Sequence, residues 1–202
     1  KLGNYNYLEV QAIEGYLLDT NTYSFDLVYE DQYTSVVYAN AERKNEEPTG
    51  TISIVKKDSE TGSTPQGDAT LENAQYQVFA NEDIYNKART KKFYSKGDLV
   101  ATRTMDAEGK TADVTNIPLG KYLVKEDVSS KGYLIDENEY QVNLQYKDQN
   151  TKIITESVTS LEQVKKMQVH IFKSGIKENS GLVSGLEGAE FTIKLNSDVE
   201  NA

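Results

Sequence analysis

Two predicted strands carry a charged side chain on their apolar face, and these two side chains are the best candidates for chemistry. Lys56 continues the apolar face that begins at Ile52. Glu126 continues the apolar face that begins at Tyr122. Burial disfavours charge, so a buried amine becomes a better nucleophile and a buried carboxyl group a better proton donor. The pattern leaves two interpretations open, a buried lysine–glutamate pair or a lysine on a solvated face.

Other residue types that support catalysis or metal binding are scarce. The chain has no Cys and one His, His170, which falls on the strand face opposite Lys173 and is interpreted as a surface residue. No arrangement of His, Cys and Ser suits nucleophilic catalysis. The spaced acids of residues 106–113 indicate a hairpin turn rather than a calcium loop. We therefore expect no enzymatic activity, no cofactor and no metal site.

Charge and composition exclude further classes of function. The 202 residues carry a net charge of −10, which disfavours binding to nucleic acid and to anionic membrane surfaces. No apolar run approaches the roughly 18 residues of a membrane span, so we expect no membrane insertion. Without Cys, no disulfide can stabilise an extracellular domain, and such a domain needs another source of stability.

The chain repeats itself at an offset of 117 positions, and the alignment needs no gap from residue 2 to residue 56. The matched residues include Leu2, Gly3, Tyr5, Glu9, Gly15 and Tyr16, which correspond to Leu119, Gly120, Tyr122, Glu126, Gly132 and Tyr133. An internal repeat of this length is a plausible domain. We predict the C-terminal half of one repeat in residues 1–49, a complete repeat in residues 50–166 and the N-terminal part of a third in residues 167–202, with linkers near Gly50 and Lys165.

Most of the chain is predicted to form short strands separated by turn signals, which is typical of a β-sandwich or barrel. The segment from Asp83 to Lys96 is the exception, because its weak helical character indicates an inserted loop. The predicted strands of the middle repeat are residues 51–57, 75–79, 99–104, 122–126, 140–144 and 153–160.

These motifs, in this order, resemble the B-type repeat domains of collagen-adhesin-like (SpaA-like) surface proteins and pilins of Gram-positive bacteria. The resemblance implies an all-β fold of tandem Greek-key sandwiches of the transthyretin or immunoglobulin type. It rests on a Lys-x-Asp strand with a Thr-Gly turn, on a Leu-x-Gly-Ala-x-Phe strand, and on Leu-x-Gly-x-Tyr-x-x-x-Glu followed by Gly-Tyr. The matching segments are Ile54–Gly62, Leu71–Tyr76 with Leu186–Phe191, and Leu119–Tyr133 with Leu2–Tyr16.

The resemblance also implies an intramolecular isopeptide bond. In such domains a first-strand Lys attacks a last-strand Asn or Asp, assisted by a central Glu. Here Lys56 and Glu126 match two of the three positions, but the acceptor position is Glu162. We therefore expect no isopeptide bond in the middle repeat, and instead a salt bridge from Lys56 to both glutamates.

The two incomplete repeats contain other parts of the same set. The first contains Glu9 and the acceptor Asn45, whereas the corresponding lysine would precede residue 1. The third contains Lys173, whereas its glutamate and acceptor would follow Ala202.

The leading functional interpretation is a structural one. We expect stalk or spacer repeats of an extracellular, cell-wall-anchored adhesin or pilin, with neighbouring repeats of the same protein as partners. One alternative is a binding module for a host extracellular matrix protein or a glycan. The ligand would then be bound by exposed strands or by the segment from Asp83 to Lys96. Another is a non-catalytic accessory domain of a secreted enzyme.

Overall fold

The computed structural model describes residues 1–177, 181–184 and 190–193, and the chain forms two compact units, residues 1–165 and 166–202. The described residues form strands and no helix, which confirms the all-β prediction. The strands are β1 (Gly3–Leu8), β2 (Thr22–Leu27), β3 (Thr49–Asp58), β4 (Gln75–Ala80), β5 (Ile84–Tyr85), β6 (Lys92–Tyr94), β7 (Leu99–Thr104), β8 (Val114–Ile117), β9 (Gly120–Val128), β10 (Tyr140–Leu144), β11 (Ile153–Glu162), β12 (Ser174–Lys177) and β13 (Gly181–Ser184).

The middle of the chain forms two sheets. One sheet has the strand order β10-β9-β4-β7 and the other has the order β11-β3-β8. Side chains alternate between buried and more exposed along β3, β4 and β9, as period-two patterning requires. The buried side chains of both sheets meet in one apolar core, which includes Ile52, Ile54, Tyr76, Val78, Tyr122, Val124, Val142, Leu144 and Val158.

The long strands β3 and β11 pair in parallel, and this pairing organises the second sheet. Their register runs over ten residue pairs, from Thr49 opposite Ile153 to Asp58 opposite Glu162. Gly50 lies inside β3 and is buried, so the prediction of a linker at this residue is wrong. A Cβ atom at Gly50 would lie 2.3 Å from Cδ1 of Leu144, so the close approach of β3 to the core requires glycine here.

The hairpin β1–β2 has the same register as the hairpin β9–β10. Gly3 is opposite Leu27, and Gly120 is opposite Leu144, so both pairs obey the 117-residue offset. The burial differs, because Tyr5 is 38% exposed whereas its counterpart Tyr122 is 0% exposed. The N-terminal segment therefore has the strand pairing of a repeat but not its closed core.

Backbone hydrogen bonds join the N-terminal segment to the middle of the chain. The amide of Leu18 donates to the carbonyl of Gln149 at 2.9 Å, and the amide of Ala12 donates to Oε1 of the same residue at 2.8 Å. The amide of Thr49 donates to the carbonyl of Lys152 at 3.0 Å. The first 49 residues are thus held against the sandwich by specific contacts.

The segment from Asp83 to Lys96 forms the β5–β6 hairpin, so the indication of helical character was wrong. Polar side chains close this hairpin. Asp83 accepts hydrogen bonds from the amide of Lys96 at 2.9 Å and from Nζ of Lys92 at 2.7 Å. Asn86 accepts from the amide of Lys91 at 2.9 Å. These contacts outweigh the weak local helical preference.

In the second unit, β12 and β13 form an antiparallel hairpin. Residues 166–173 are irregular, although the corresponding residues 49–56 belong to β3. The conserved-looking segment Leu186–Ala189 of the family motif lies outside the described residues. In the described part of the chain there is no helix long and apolar enough to span a membrane.

Candidate functional site

Lys56, Glu126 and Glu162 meet in the interior of the sandwich. The Nζ atom of Lys56 lies 2.7 Å from Oε1 of Glu126 and 3.1 Å from Oε2 of Glu162. All three side chains are fully buried. Lys56 lies on β3, Glu126 on β9 of the opposite sheet and Glu162 on β11, so the lysine links the two sheets and also links the first strand of the sandwich to its last.

Hydroxyl groups complete the surroundings of the Glu162 carboxylate. Tyr76 on β4 donates a hydrogen bond to Oε1 of Glu162 at 2.8 Å, and Ser160 contacts the same oxygen. Burial of the Tyr76 hydroxyl, next to the charges of the glutamates, raises its pKa, so Tyr76 remains a donor. A buried carboxylate needs such partners because loss of water costs it much of its stabilisation.

Burial acts on the charge of the Glu126 carboxyl group. It raises the pKa of Glu126, although the hydrogen bonds from Lys56 and from the amide of Asp136, at 2.7 Å, act in the opposite direction. The cluster contains one lysine and two glutamates, so full ionisation would leave an excess negative charge in the core.

Asp58 forms a second buried anion next to the cluster. It accepts hydrogen bonds from the amides of Glu60 and Thr61, from the Tyr133 hydroxyl at 2.8 Å and from Gln66. Burial alone would raise its pKa, but these donors hold the pKa well below the ordinary value of 3.8. The ring of Tyr133 also lies 5.4 Å from Nζ of Lys56, so this tyrosine contacts both charges.

Asp136 forms a third anchor. It accepts hydrogen bonds from Tyr140 at 2.6 Å and from Ser160 at 2.8 Å. Burial opposes ionisation of Asp136, and the hydrogen bonds overcome it and lower the pKa. The sequence analysis did not assign roles to Asp58, Asp136, Tyr76 or Ser160. Asp136 could have been found, because it corresponds to Asp19 at the repeat offset.

In the N-terminal segment, Glu9 and Asn45 also lie together. Nδ2 of Asn45 donates to Oε2 of Glu9 at 2.6 Å and to the carbonyl of Leu17 at 2.9 Å. The amide of Asp19 donates to the same oxygen of Glu9 at 2.8 Å, just as the amide of Asp136 donates to Glu126. Both residues are half-buried and line an open cavity of about 590 Å³.

Lys173 is not part of either cluster. It lies in the second unit, in the irregular segment before β12, and its side chain is exposed. Among the residues the structure describes, no group of three or more His, Cys, Asp and Glu side chains is arranged to hold a metal ion.

The two sheets of the sandwich, with their first and last strands paired in parallel, enclose the buried lysine. The chain belongs to the SpaA family of prealbumin-like fold domains, whose model matches residues 50–159. The resemblance inferred from the motifs is thereby confirmed.

Solved structures that are similar to this chain include a Bacillus anthracis protein and two streptococcal pilins. The TIE protein of Bacillus anthracis shares 28% identity at a TM-score of 0.52, with 81% of this chain and 25% of that one covered. A streptococcal ancillary pilin shares 19% identity at a TM-score of 0.39, with 82% and 43% covered. The minor pilin GBS52 of Streptococcus agalactiae shares 17% identity at a TM-score of 0.38, with 84% and 63% covered. This chain therefore spans only part of each of them. No curated protein matches it.

The first prediction concerns the Lys56 ion pair. Lys56→Ala leaves the buried carboxyl groups of Glu126 and Glu162 without their cation, and breaking such a pair costs about 3–5 kcal/mol of the free energy of unfolding. Chemical denaturation of the full chain measures this loss. Lys57→Ala is the matched control, because Lys57 is the exposed neighbour on β3 and its removal should leave stability nearly unchanged. Equal effects of the two substitutions would contradict a buried pair.

The second prediction concerns pH. The folded protein holds the pKa of Asp58 below that of the unfolded chain, so its stabilisation is present above about pH 4 and is lost as the pH falls towards the folded value. Asp58→Asn should lower the melting temperature at pH 7 and weaken the decline between about pH 5 and pH 3. Thermal melting over this range tests the expectation. If the melting temperature of Asp58→Asn falls with pH as steeply as that of the wild type, the loss of stability arises from other groups, such as Asp136.

Proposed function

We propose that residues 50–166 form one structural repeat of a stalk, in a cell-wall-anchored adhesin or pilin on the surface of a Gram-positive bacterium. In this proposal residues 1–49 are the C-terminal half of a preceding repeat and residues 167–202 the N-terminal part of a following one. The function is mechanical rather than enzymatic. The observation that carries it is the parallel pairing of β3 with β11.

Parallel pairing of the first and last strands suits a load-bearing repeat. The chain enters the sandwich at Thr49, at one end of the shared ladder, and leaves it at Glu162, at the other end. Tension along the chain therefore pulls the two strands past each other. The ten residue pairs of the ladder then share the load, whereas strands pulled apart from one end would lose their hydrogen bonds one after another.

The buried lysine adds resistance to the same sliding motion. Lys56 contacts Glu162 on β11 and Glu126 on β9, so any shift of β3 separates charges inside the core. Separation of a buried ion pair is costly because neither partner regains water until the core opens. In a chain without Cys, this cluster provides a link between first and last strands that other extracellular domains obtain from disulfides.

The contacts of the N-terminal segment favour a fixed joint between residues 1–49 and the middle repeat. Besides the bonds to Gln149, the amide of Lys87 donates to Oε1 of Glu47 at 3.0 Å, and the Lys87 side chain lies against Gly15. Repeats that contact only their neighbours give stalks whose stability is local. The 28%-identical structure is a Bacillus anthracis protein, which agrees with the proposed bacterial source class.

The third prediction tests which repeats form an isopeptide bond. We propose that a Lys–Asn isopeptide bond forms where a lysine strand pairs beside Glu9 and Asn45, and that the middle repeat keeps an ionic Lys56–Glu162 contact. The purified 202-residue chain should therefore have the unmodified mass of its sequence by intact mass spectrometry. Loss of one water in the wild type, absent in Lys56→Ala, would contradict this and establish an amide between Lys56 and one of the two glutamates.

The fourth prediction tests the stalk itself. With the full chain held by its two ends in a single-molecule force experiment, the middle repeat should unfold in one discrete event that releases about 350–400 Å of chain. Lys56→Ala should lower the unfolding force, because forced unfolding follows the unfolding rate and the variant loses the link between β3 and β11. Lys57→Ala should leave the force unchanged. Gradual extension at low force in the wild type would exclude a load-bearing role.

A further inference from the structure

The β5–β6 hairpin concentrates positive charge on an otherwise acidic chain. Five of the 22 Lys and Arg residues lie in residues 87–96, and no acid lies between Asp83 and Asp98. The chain as a whole has a net charge of −10. We call residues 84–97 the cationic hairpin. Its basic residues are Lys87, Arg89, Lys91, Lys92 and Lys96.

The cationic hairpin has a defined conformation that presents these charges. Ile84 anchors its base in the core, and the amide of Asn86 donates to the carbonyl of Lys91 at 2.9 Å to close the turn. Arg89 occupies the tip with a φ of 56°. Asn or Gly is favoured in this left-handed conformation, and a bulkier residue such as Arg is uncommon there.

Most of these charges have no acidic partner. Lys92 pairs with Asp83, at 2.7 Å, but within the described part of the chain Arg89, Lys91 and Lys96 form no ion pair. Aromatic rings support two of them, since the Arg89 guanidinium lies 4.7 Å from the ring centre of Tyr85 and Nζ of Lys91 lies 4.8 Å from that of Phe93. The hairpin therefore holds exposed cations beside exposed aromatic surface, with Phe93 38% exposed.

We propose that the cationic hairpin binds a sulfated polysaccharide of the glycosaminoglycan type. Sulfate groups accept charge-assisted hydrogen bonds from Arg and Lys, and short Lys/Arg-rich segments are typical of heparin-binding sites. Sugar rings pack against aromatic faces such as that of Phe93. A nucleic acid duplex requires a broader basic face than this hairpin offers.

This inference is independent of the stalk function. The β3–β11 ladder and the buried lysine do not involve the hairpin, so the proposed load-bearing role does not require a bound ligand. The hairpin instead gives the middle repeat a means of attachment to the matrix around animal cells.

The fifth prediction uses heparin as the probe, immobilised on a surface, and the full chain in solution. The triple variant Arg89→Gln/Lys91→Gln/Lys96→Gln should raise the dissociation constant at least about tenfold, since binding of a polyanion depends on the number of neutralised charges. The matched control is Lys57→Gln/Lys110→Gln/Lys131→Gln, which removes the same charge from three exposed lysines elsewhere. It should change the dissociation constant less than about twofold. Lys87 is left intact because its side chain packs against Gly15.

Three results would overturn the proposal. The first is equal loss of heparin binding in the two triple variants, which would show a non-local charge effect. The second is undiminished binding to desulfated heparin, which would show that sulfate is not recognised. The third is equally tight binding to single-stranded DNA or to a glycerol-phosphate polymer, which would assign the hairpin to phosphate polymers. Melting temperatures of both triple variants establish that each is folded before binding is compared.

Discussion

The buried ammonium group of Lys56 is the constraint on which the sandwich depends. A buried cation is stable only if nearby groups compensate its charge, and here the partners come from β9 and β11. Tyr76 on β4 then supports Glu162 from the other sheet. The apolar core would allow the sheets to pack in several similar ways, because hydrophobic contact is not directional. The ion cluster allows one, since a shift of a few ångströms would leave a charge without its partner.

Residues 1–49 match residues 118–166 at the 117-residue offset, and they form some of the same contacts without a paired lysine strand. The hairpin β1–β2 keeps the register of β9–β10, because local backbone pairing and the positions of Gly3 and Gly120 determine it. Residues 36–45 correspond to β11 but are irregular. In the middle repeat this strand exists as the parallel partner of β3, so its formation depends on a distant part of the chain. Glu9 and Asn45 still meet, because the amide of Asp19 donates to Glu9 and Nδ2 of Asn45 donates to the carbonyl of Leu17.

The sequence predicts the fold and part of the site well, for identifiable reasons. Strand parity assigns Lys56 and Glu126 to the inner face, and the repeat offset identifies Glu162 as the residue in the acceptor position. Both signals are periodic in the sequence, so they can be recognised without knowledge of the fold. The β5–β6 hairpin could not be predicted in this way. It has two short strands, and its conformation depends on side chains such as Asp83 and Asn86 that close the turn. The role of Asp58 was also missed, because its donors come from a turn and from the distant Tyr133.

The exchange of Asn for Glu at the acceptor position changes the charge balance of the core. In a repeat with an Asn acceptor, one lysine faces one glutamate and the cluster is neutral. In the middle repeat, Glu162 adds a second carboxyl group, and neutrality requires an additional proton. Burial raises the pKa of Glu126, which is the direction that lessens this excess charge. Glu162 is also longer than Asn by one methylene group, and its carboxylate already accepts a hydrogen bond from Tyr76. A carboxylate stabilised in this way is a poor target for an amine, so the same residues that make the ion cluster stable also favour keeping it ionic.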